Sequence, residues 1–328
     1  MLPMLRQLFS ILVILVAWPS VSMADSEHPG RPIVVELYTS QGCSSCPPAD
    51  KLLHVLRSDK KRNILPLSFH VDYWNSLGWK DEFSKPEFSE RQRKYARHNG
   101  SPTIYTPQMV INGEYFVVGS RKSEVYGIID RIRENRAADF REAGIAAPPR
   151  LINCSEGDWT KIIFDGNPEL LRTKNYSLYY LKKNIGDKEV RITRGENARR
   201  TITYGNVVAS IDEISWSNET GVARFQANFD SSDLAGIVFL QEDGFGPIID
   251  TVEIADTACE EMEANDKSTM QQAADIAKYA LINPTYSDPV GIGSLLSAVA
   301  MDQSSNEPAY GFPEADLIIE NAFNAILP

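Results

Sequence analysis

Cys43 and Cys46 are the residues of this chain whose types and spacing can do chemistry. They stand as Cys43-Ser44-Ser45-Cys46, after an apolar run at 33–38 and before a helix-compatible stretch at 47–56. That context is strand, loop, dithiol, helix. The first cysteine then lies at a helix N-terminus, where unpaired N–H groups and the helix dipole favour a thiolate. A lowered thiol pKa makes the nucleophile of thiol–disulfide exchange. The second cysteine, one turn on, resolves the mixed disulfide. Pro47 and Pro48 suit a first helical turn, whose N–H groups have no helical partner. Ser44 and Ser45 bring neither a proline nor a positive charge, so the thiolate gets little help beyond helix N–H groups.

The motif alone also fits a structural disulfide or half of a zinc site. No second Cys pair or His cluster at ligand spacing supports zinc. Thr106-Pro107 enters an apolar strand after a loop, which makes it a candidate cis peptide. His70 and Asp72 end the second strand, at the edge where the dithiol loop is expected. His70 can tune a cysteine, join two sulfurs as a soft-metal ligand, or serve as a structural histidine. Trp74 and Trp79 line a groove for an extended peptide or pack their loop on the core. Arg194, Glu196, Arg199 and Arg200 read first as a solvated, ion-paired turn and second as a partner contact.

The elements that must position these residues follow from patterning. Strand signals at 64–71, 108–111 and 115–118 alternate with helix signals at 86–98 and 121–136, giving β-α-β-α-β-β-α. Asn112-Gly113 between apolar runs is a hairpin signal. Residues 146–149, Ala-Ala-Pro-Pro, read as a linker. Short strands are then expected at 161–164, 177–182, 188–193, 201–204, 207–214, 222–229, 236–241 and 247–253. Even spacing without helical periodicity suggests a β-sandwich. After Cys259, helices are expected at 266–281, 289–301 and 314–327, in an appendage without a chemical motif.

Residues 1–24 read as a secretory signal: Arg6, an apolar stretch at 8–17, and Ser22-Met23-Ala24 before the cut. The apolar stretch is short for a membrane span, so no stable span is expected after cleavage. The chain carries 33 Lys+Arg against 44 Asp+Glu, a formal charge of −11. This acidic balance, without a basic block, argues against nucleic-acid binding. Four cysteines in an exported chain allow two disulfides. Adjacency pairs Cys43 with Cys46 and leaves Cys154 with Cys259 as a structural disulfide. The expected location is periplasmic or extracellular. Asn175-Tyr176-Ser177 and Asn218-Glu219-Thr220 match the glycosylation sequon, which matters only in a eukaryotic secretory route.

Thr106-Pro107-Gln108-Met109-Val110-Ile111-Asn112-Gly113 resembles the glutaredoxin run around its cis-proline. Residues 35–50 with the dithiol, Ser68-Phe69-His70-Val71-Asp72-Tyr73-Trp74, Gly78-Trp79-Lys80-Asp81 and Tyr105-Thr106-Pro107-Gln108 together resemble one exported thioredoxin-like family, domain of unknown function 1223. Arg194-Gly195-Glu196-Asn197 and Asn206-Val207-Val208 resemble its second half. The resemblance covers roughly 32–256. It implies an α/β thioredoxin-like domain (32–145), which the patterning follows with an all-β sandwich-like domain (150–260) and a short helical C-terminal extension (261–328) outside the family pattern. It further implies Cys43 as attacking thiol, Cys46 as resolving thiol, Pro107 as the cis-proline and Thr106 as backbone partner for substrate. Glu36 takes the place of the buried acid that relays the Cys46 proton, though it lies seven residues before Cys43, one more than expected of a thioredoxin. The alternative for Glu36 is a strand-edge acid bonded to loop N–H groups.

Three functions fit. The first is an exported thiol–disulfide oxidoreductase that needs no cofactor and exchanges electrons with protein thiols or disulfides and a redox partner. The second is a non-catalytic binding module stapled by Cys43–Cys46. The third is a copper or other soft-metal handler using Cys43, Cys46 and His70.

Overall fold

The computed structural model describes residues 31–142, 150–165, 171, 173–217, 219–228, 232–255 and 257–260, without the side chains of 137–142. The expected signal segment 1–24, the linker at 146–149 and the extension 261–328 lie outside the described residues. The described residues form one compact unit. It is a mixed α/β structure with three α-helices and four sheets among the described residues.

β1 (Ile33–Thr39) is buried at every position, as its nearly unbroken apolar run demands of a central strand. It pairs in parallel with β2 (Ile64–His70) and antiparallel with β3 (Gln108–Ile111). β4 (Tyr115–Val118) completes the sheet in the order β2-β1-β3-β4. A parallel pair needs a crossover, and α1 (Pro47–Arg57) supplies it. α2 (Pro86–His98) lies between β2 and β3 in the chain, and α3 (Lys122–Glu142) follows β4. Asn112 and Gly113 turn β3 into β4 at φ 55° and 77°, the left-handed region that Asn and Gly tolerate.

Strand alternation splits β1 between two cores. Ile33, Val35 and Leu37 pack with Leu52, Leu53 and Leu56 of α1 and Val125, Ile129 and Ile132 of α3. Val34 and Tyr38 face Phe88 and Tyr95 of α2 and, beyond them, Leu181, Ile237 and Phe239 from the second half of the chain.

That half forms three sheets. β7 (Tyr176–Asn184), β10 (Val208–Ile214), β12 (Leu234–Glu242) and β13 (Ile248–Glu253) stand in the order β10-β7-β12-β13. β5 (Arg150–Glu156), β6 (Trp159–Asp165) and β11 (Val222–Phe225) stand as β11-β6-β5. Residues at 150–156 gave no strand signal, because Asn153, Cys154 and Ser155 interrupt the apolar run. The segment is a strand because it pairs with β6 along its whole length. The four-stranded sheet is apolar on both faces. Leu181, Ile237 and Phe239 turn to the first sheet, while Leu178, Tyr180, Val238 and Leu240 pack with Leu151 and Ile162 of the three-stranded one. Cys154 in β5 is bonded to Cys259, 105 residues on.

The last sheet is a ribbon of β8 (Asp187–Arg191) and β9 (Thr201–Gly205). It seats Val190, Ile192 and Tyr204 against Trp79 and Phe83. At its base, Asn206 extends the outer edge of β2: Ser68 N–H donates to its carbonyl at 3.0 Å and its amide donates to Pro66 O at 2.8 Å. Pro66 has no N–H for a neighbouring strand, which suits β2 to an edge.

Candidate functional site

The dithiol loop joins β1 to α1. Cys43 and Cys46 are disulfide-bonded, with Cα atoms 5.4 Å apart. Cys46 N–H donates to Cys43 O, and Cys46 O accepts from Ala49 and Asp50 N–H, so Cys46 caps α1. Both cysteines are 0 % exposed, while Ser44 and Ser45 between them lie at the surface. A disulfide at a helix N-terminus is therefore present, but its sulfurs are out of reach of solvent.

Three segments are bonded to this loop or to its neighbours. The first is 72–84. Asp81 accepts Gln41 N–H at 2.8 Å, and the same carboxylate oxygen meets His70 Nδ1 at 2.7 Å. A carboxylate partner puts the proton on Nδ1. Trp79 donates from its indole to Gln41 Oε1 at 2.8 Å. Trp74 donates from its indole to Thr106 Oγ1, also at 2.8 Å. Both tryptophans thus brace the loops around the dithiol. The second is the Thr106-Pro107 segment, whose peptide bond is cis. Pro107 is buried, and Gln108 after it pairs with Tyr38 at the end of β1.

The third segment is the turn at the tip of the β8–β9 ribbon. Asn197, 0 % exposed, donates to the carbonyls of Gln41 at 2.9 Å and Cys43 at 2.8 Å. Arg200 donates to Asn197 Oδ1 at 2.9 Å and so orients the amide. Ser44 N–H donates to Glu196 at 3.2 Å, and hydrogen bonds from Ser44 hold that carboxyl below its usual range. The stretch 194–200 is thus not only a solvated turn: its middle is buried against the dithiol loop. Nothing local marks Asn197, because its partners lie 154 and 156 residues away.

Glu36 lies elsewhere. Its side chain points to the α2 face, where Arg91 Nε donates to it at 2.7 Å and the Tyr95 hydroxyl at 2.5 Å. Gln241 accepts from Arg91 at 3.1 Å and donates to the Tyr95 oxygen at 2.9 Å. Burial works against the Arg91 charge, but Glu36 outweighs it and holds the guanidinium above its ordinary range. Glu36 thus bonds to α2 rather than to the dithiol or to loop N–H groups, because alternation along β1 aims it at the face opposite α1.

A different acid lies on α1, one helical turn after the dithiol. Asp50 lies four residues after Cys46 on α1, hence on the same helical face. Thr39 donates to Asp50 Oδ1 at 2.8 Å. Burial pushes the Asp50 carboxyl up to about 7, opposed by His70 and the Thr39 hydroxyl. Asp50 Oδ2, His70 Nε2 and the Tyr204 hydroxyl are buried without hydrogen-bond partners. The His70 and Tyr204 rings are 4.8 Å apart, and burial raises the Tyr204 phenol, with the charges of Asp50 and Asp81 adding to it. Asp50 was legible in principle, as the one acid on the otherwise apolar face of α1.

The family model described as "Protein of unknown function (DUF1223)" matches residues 34–241. The chain belongs to this family. The matched span runs from β1 to β12, so both the dithiol loop and the ribbon turn over it are parts of the DUF1223 unit. The chain is similar to the crystal structure of protein AGR_C_4864 from Agrobacterium tumefaciens, at 26% identity and TM-score 0.52, over 68% of this chain and 93% of that one. HBP35 of Porphyromonas gingivalis is 15% identical over 70% of this chain and 77% of that one, at TM-score 0.44, too slight a likeness to argue from. No curated protein matches. Among the described residues no helix is long and apolar enough to cross a membrane. The two disulfides fit an oxidising location.

Proposed function

We propose that this DUF1223 protein is an exported thiol–disulfide oxidoreductase built on a thioredoxin-like core, working in the periplasm or outside the cell. The observation that carries the reading is the Cys43–Cys46 disulfide at the N-terminus of α1. The sheet order β2-β1-β3-β4 and the cis Thr106–Pro107 bond before β3 support it.

In the oxidising direction, a thiolate of a protein substrate attacks Cys43 Sγ. The Cys43–Cys46 bond breaks, and Cys46 leaves as a thiolate that takes a proton from Asp50. A second substrate thiolate then attacks the substrate sulfur of the mixed disulfide and expels Cys43 as a thiolate. Two electrons pass from substrate to protein, and the reducing direction runs the same steps backward. This reading gives the proton to Asp50 rather than Glu36, because Asp50 lies one turn after Cys46 on α1 and burial pushes its carboxyl up to about 7. Thr106 offers backbone groups for pairing with substrate. Trp74 and Trp79 hold the surrounding loops, which is a positioning role.

Cys46→Ser leaves Cys43 unable to resolve, so it is expected to accumulate mixed disulfides with proteins of the exporting compartment. If no Cys43-linked partner is trapped, the redox reading falls.

The complete burial of both sulfurs favours one other reading, a binding module stapled by a permanent disulfide. A Cys43–Cys46 bond that stays closed across a series of glutathione buffers, in folded protein, decides for the staple. For the metal reading, no group of three or more His, Cys, Asp or Glu arranged to hold an ion stands among the described residues.

A further inference from the structure

The ribbon turn over the dithiol makes contacts that a surface turn does not need. Asn197 is fully buried and directs its amide to Gln41 O and Cys43 O. Glu196 takes Ser44 N–H. Three main-chain groups of four consecutive loop residues are therefore held from one turn, contributed by the other half of the chain. Exchange requires an incoming sulfur to reach Cys43 Sγ, and Cys43 has no exposure in this arrangement.

The turn is also a closed unit at the tip of the ribbon. β8 and β9 pair as strands only with each other, and the side chains that anchor the ribbon, Val190, Ile192 and Tyr204, lie outside the 194–200 turn. The turn closes on itself at its neck, where Ile192 N–H donates to Arg200 O and Arg199 N–H donates to Ile192 O. Glycine at 195, with φ 73°, lets the chain pass close to Trp79.

We propose that the 194–200 turn is a latch: closed, it pins the dithiol loop through Asn197 and Glu196, and Cys43 becomes attackable when the turn lifts. This deepens the redox reading and rests on the dithiol being the working site. Asn197 is a positioning residue here, acting through the main chain of Gln41 and Cys43. A substrate protein able to displace the turn would open its own site, whereas a small thiol must wait for spontaneous opening.

The test is the rate at which dithiothreitol reduces Cys43–Cys46 in the full chain, followed by thiol labelling. Asn197→Ala removes two hydrogen bonds from the latched state only. It is expected to speed reduction by about tenfold, the factor that two hydrogen bonds of ordinary net strength supply. Arg200→Ala and Glu196→Gln change exposed side chains, and each is expected to speed reduction by about two- to fivefold. They carry the test if Asn197→Ala fails to fold. Variants that melt like wild type and are reduced at its rate overturn the latch. Equal rates with ready glutathione exchange leave the redox reading standing. Faster reduction of the variants with no trapped protein partner keeps the latch and removes the redox reading.

Discussion

Arg91 of α2 and Glu36 of β1 meet at 2.7 Å with 4 % and 0 % of their side chains exposed. The guanidinium also lies within 5.0–5.2 Å of the ring centres of Tyr95, Tyr179, Phe239 and Phe245. One cation thus joins the first sheet, α2 and the four-stranded sheet from the second half. Removing one partner of such a pair strands the other charge in the core, which costs about 3–5 kcal/mol. Arg91→Ala is therefore expected to lower the urea midpoint strongly. A loss below about 1 kcal/mol would show that Glu36 is readily neutralised or hydrated there.

Asp50 ties stability to pH. Its carboxyl is raised from 3.8 to about 7 in the folded state, so the folded chain binds more protons than the unfolded one across that window. Stability then falls as pH rises from about 4 to 7, and this contribution levels off above. Each step of one in pH across that window costs at most about 1.4 kcal/mol. Asp50→Asn keeps the Thr39 contact without the buried charge, and should gain on wild type at pH 8 but not at pH 4. Denaturation curves that move in parallel at both pH values would refute the assignment.

The same substitution bears on chemistry. If Asp50 handles the Cys46 proton, then without its carboxyl that proton must leave or arrive another way. Asp50→Asn is expected to slow resolution of a Cys43 mixed disulfide by on the order of 10²-fold. The defect should shrink toward alkaline pH, where the thiol ionises unaided. A pH-independent defect would mark Asp50 as structural.

Cys154–Cys259 closes a loop of 105 residues and joins β5 to the segment after β13. Replacing both cysteines by alanine is expected to cost about 2–5 kcal/mol. Guanidinium unfolding of the double variant measures it, and an unchanged midpoint would mean that packing alone holds β5.

Gly113 sits at φ 77°, and a Cβ there would run into the carbonyl oxygen of Gly246. Both the conformation and the space demand glycine. Gly113→Ala should destabilise by more than the roughly 1 kcal/mol of a strained turn residue alone, read as a fall in melting temperature. No change would show that the Gly246 loop gives way.

The β-α-β-α-β-β-α order of residues 33–136 was legible because each element carries its own period, cap or turn signal. The Cys-x-x-Cys spacing likewise named the dithiol without any tertiary information. β5 was not legible: an interrupted run such as Leu151-Ile152-Asn153-Cys154 becomes a strand only when β6 lies beside it. Nor was the shared core. Leu181 and Phe239 alternate as any half-buried strand does, and alternation states that a face is covered but not by what.

By itself, then, the sequence determined which residues form the Cys-x-x-Cys motif, the elements that carry it and the number of bonds four cysteines can make. All of these follow from interactions within a few residues or one helical turn. Only the tertiary structure decided that Glu36 belongs to Arg91, that Thr39 of β1 meets Asp50 of α1, and that Asn197 bonds to the Cys43 carbonyl. Those contacts join residues 55 and 154 apart, or turn on which face of β1 meets α1. They are set by how whole sheets pack, and no local pattern encodes the surface that a side chain will meet.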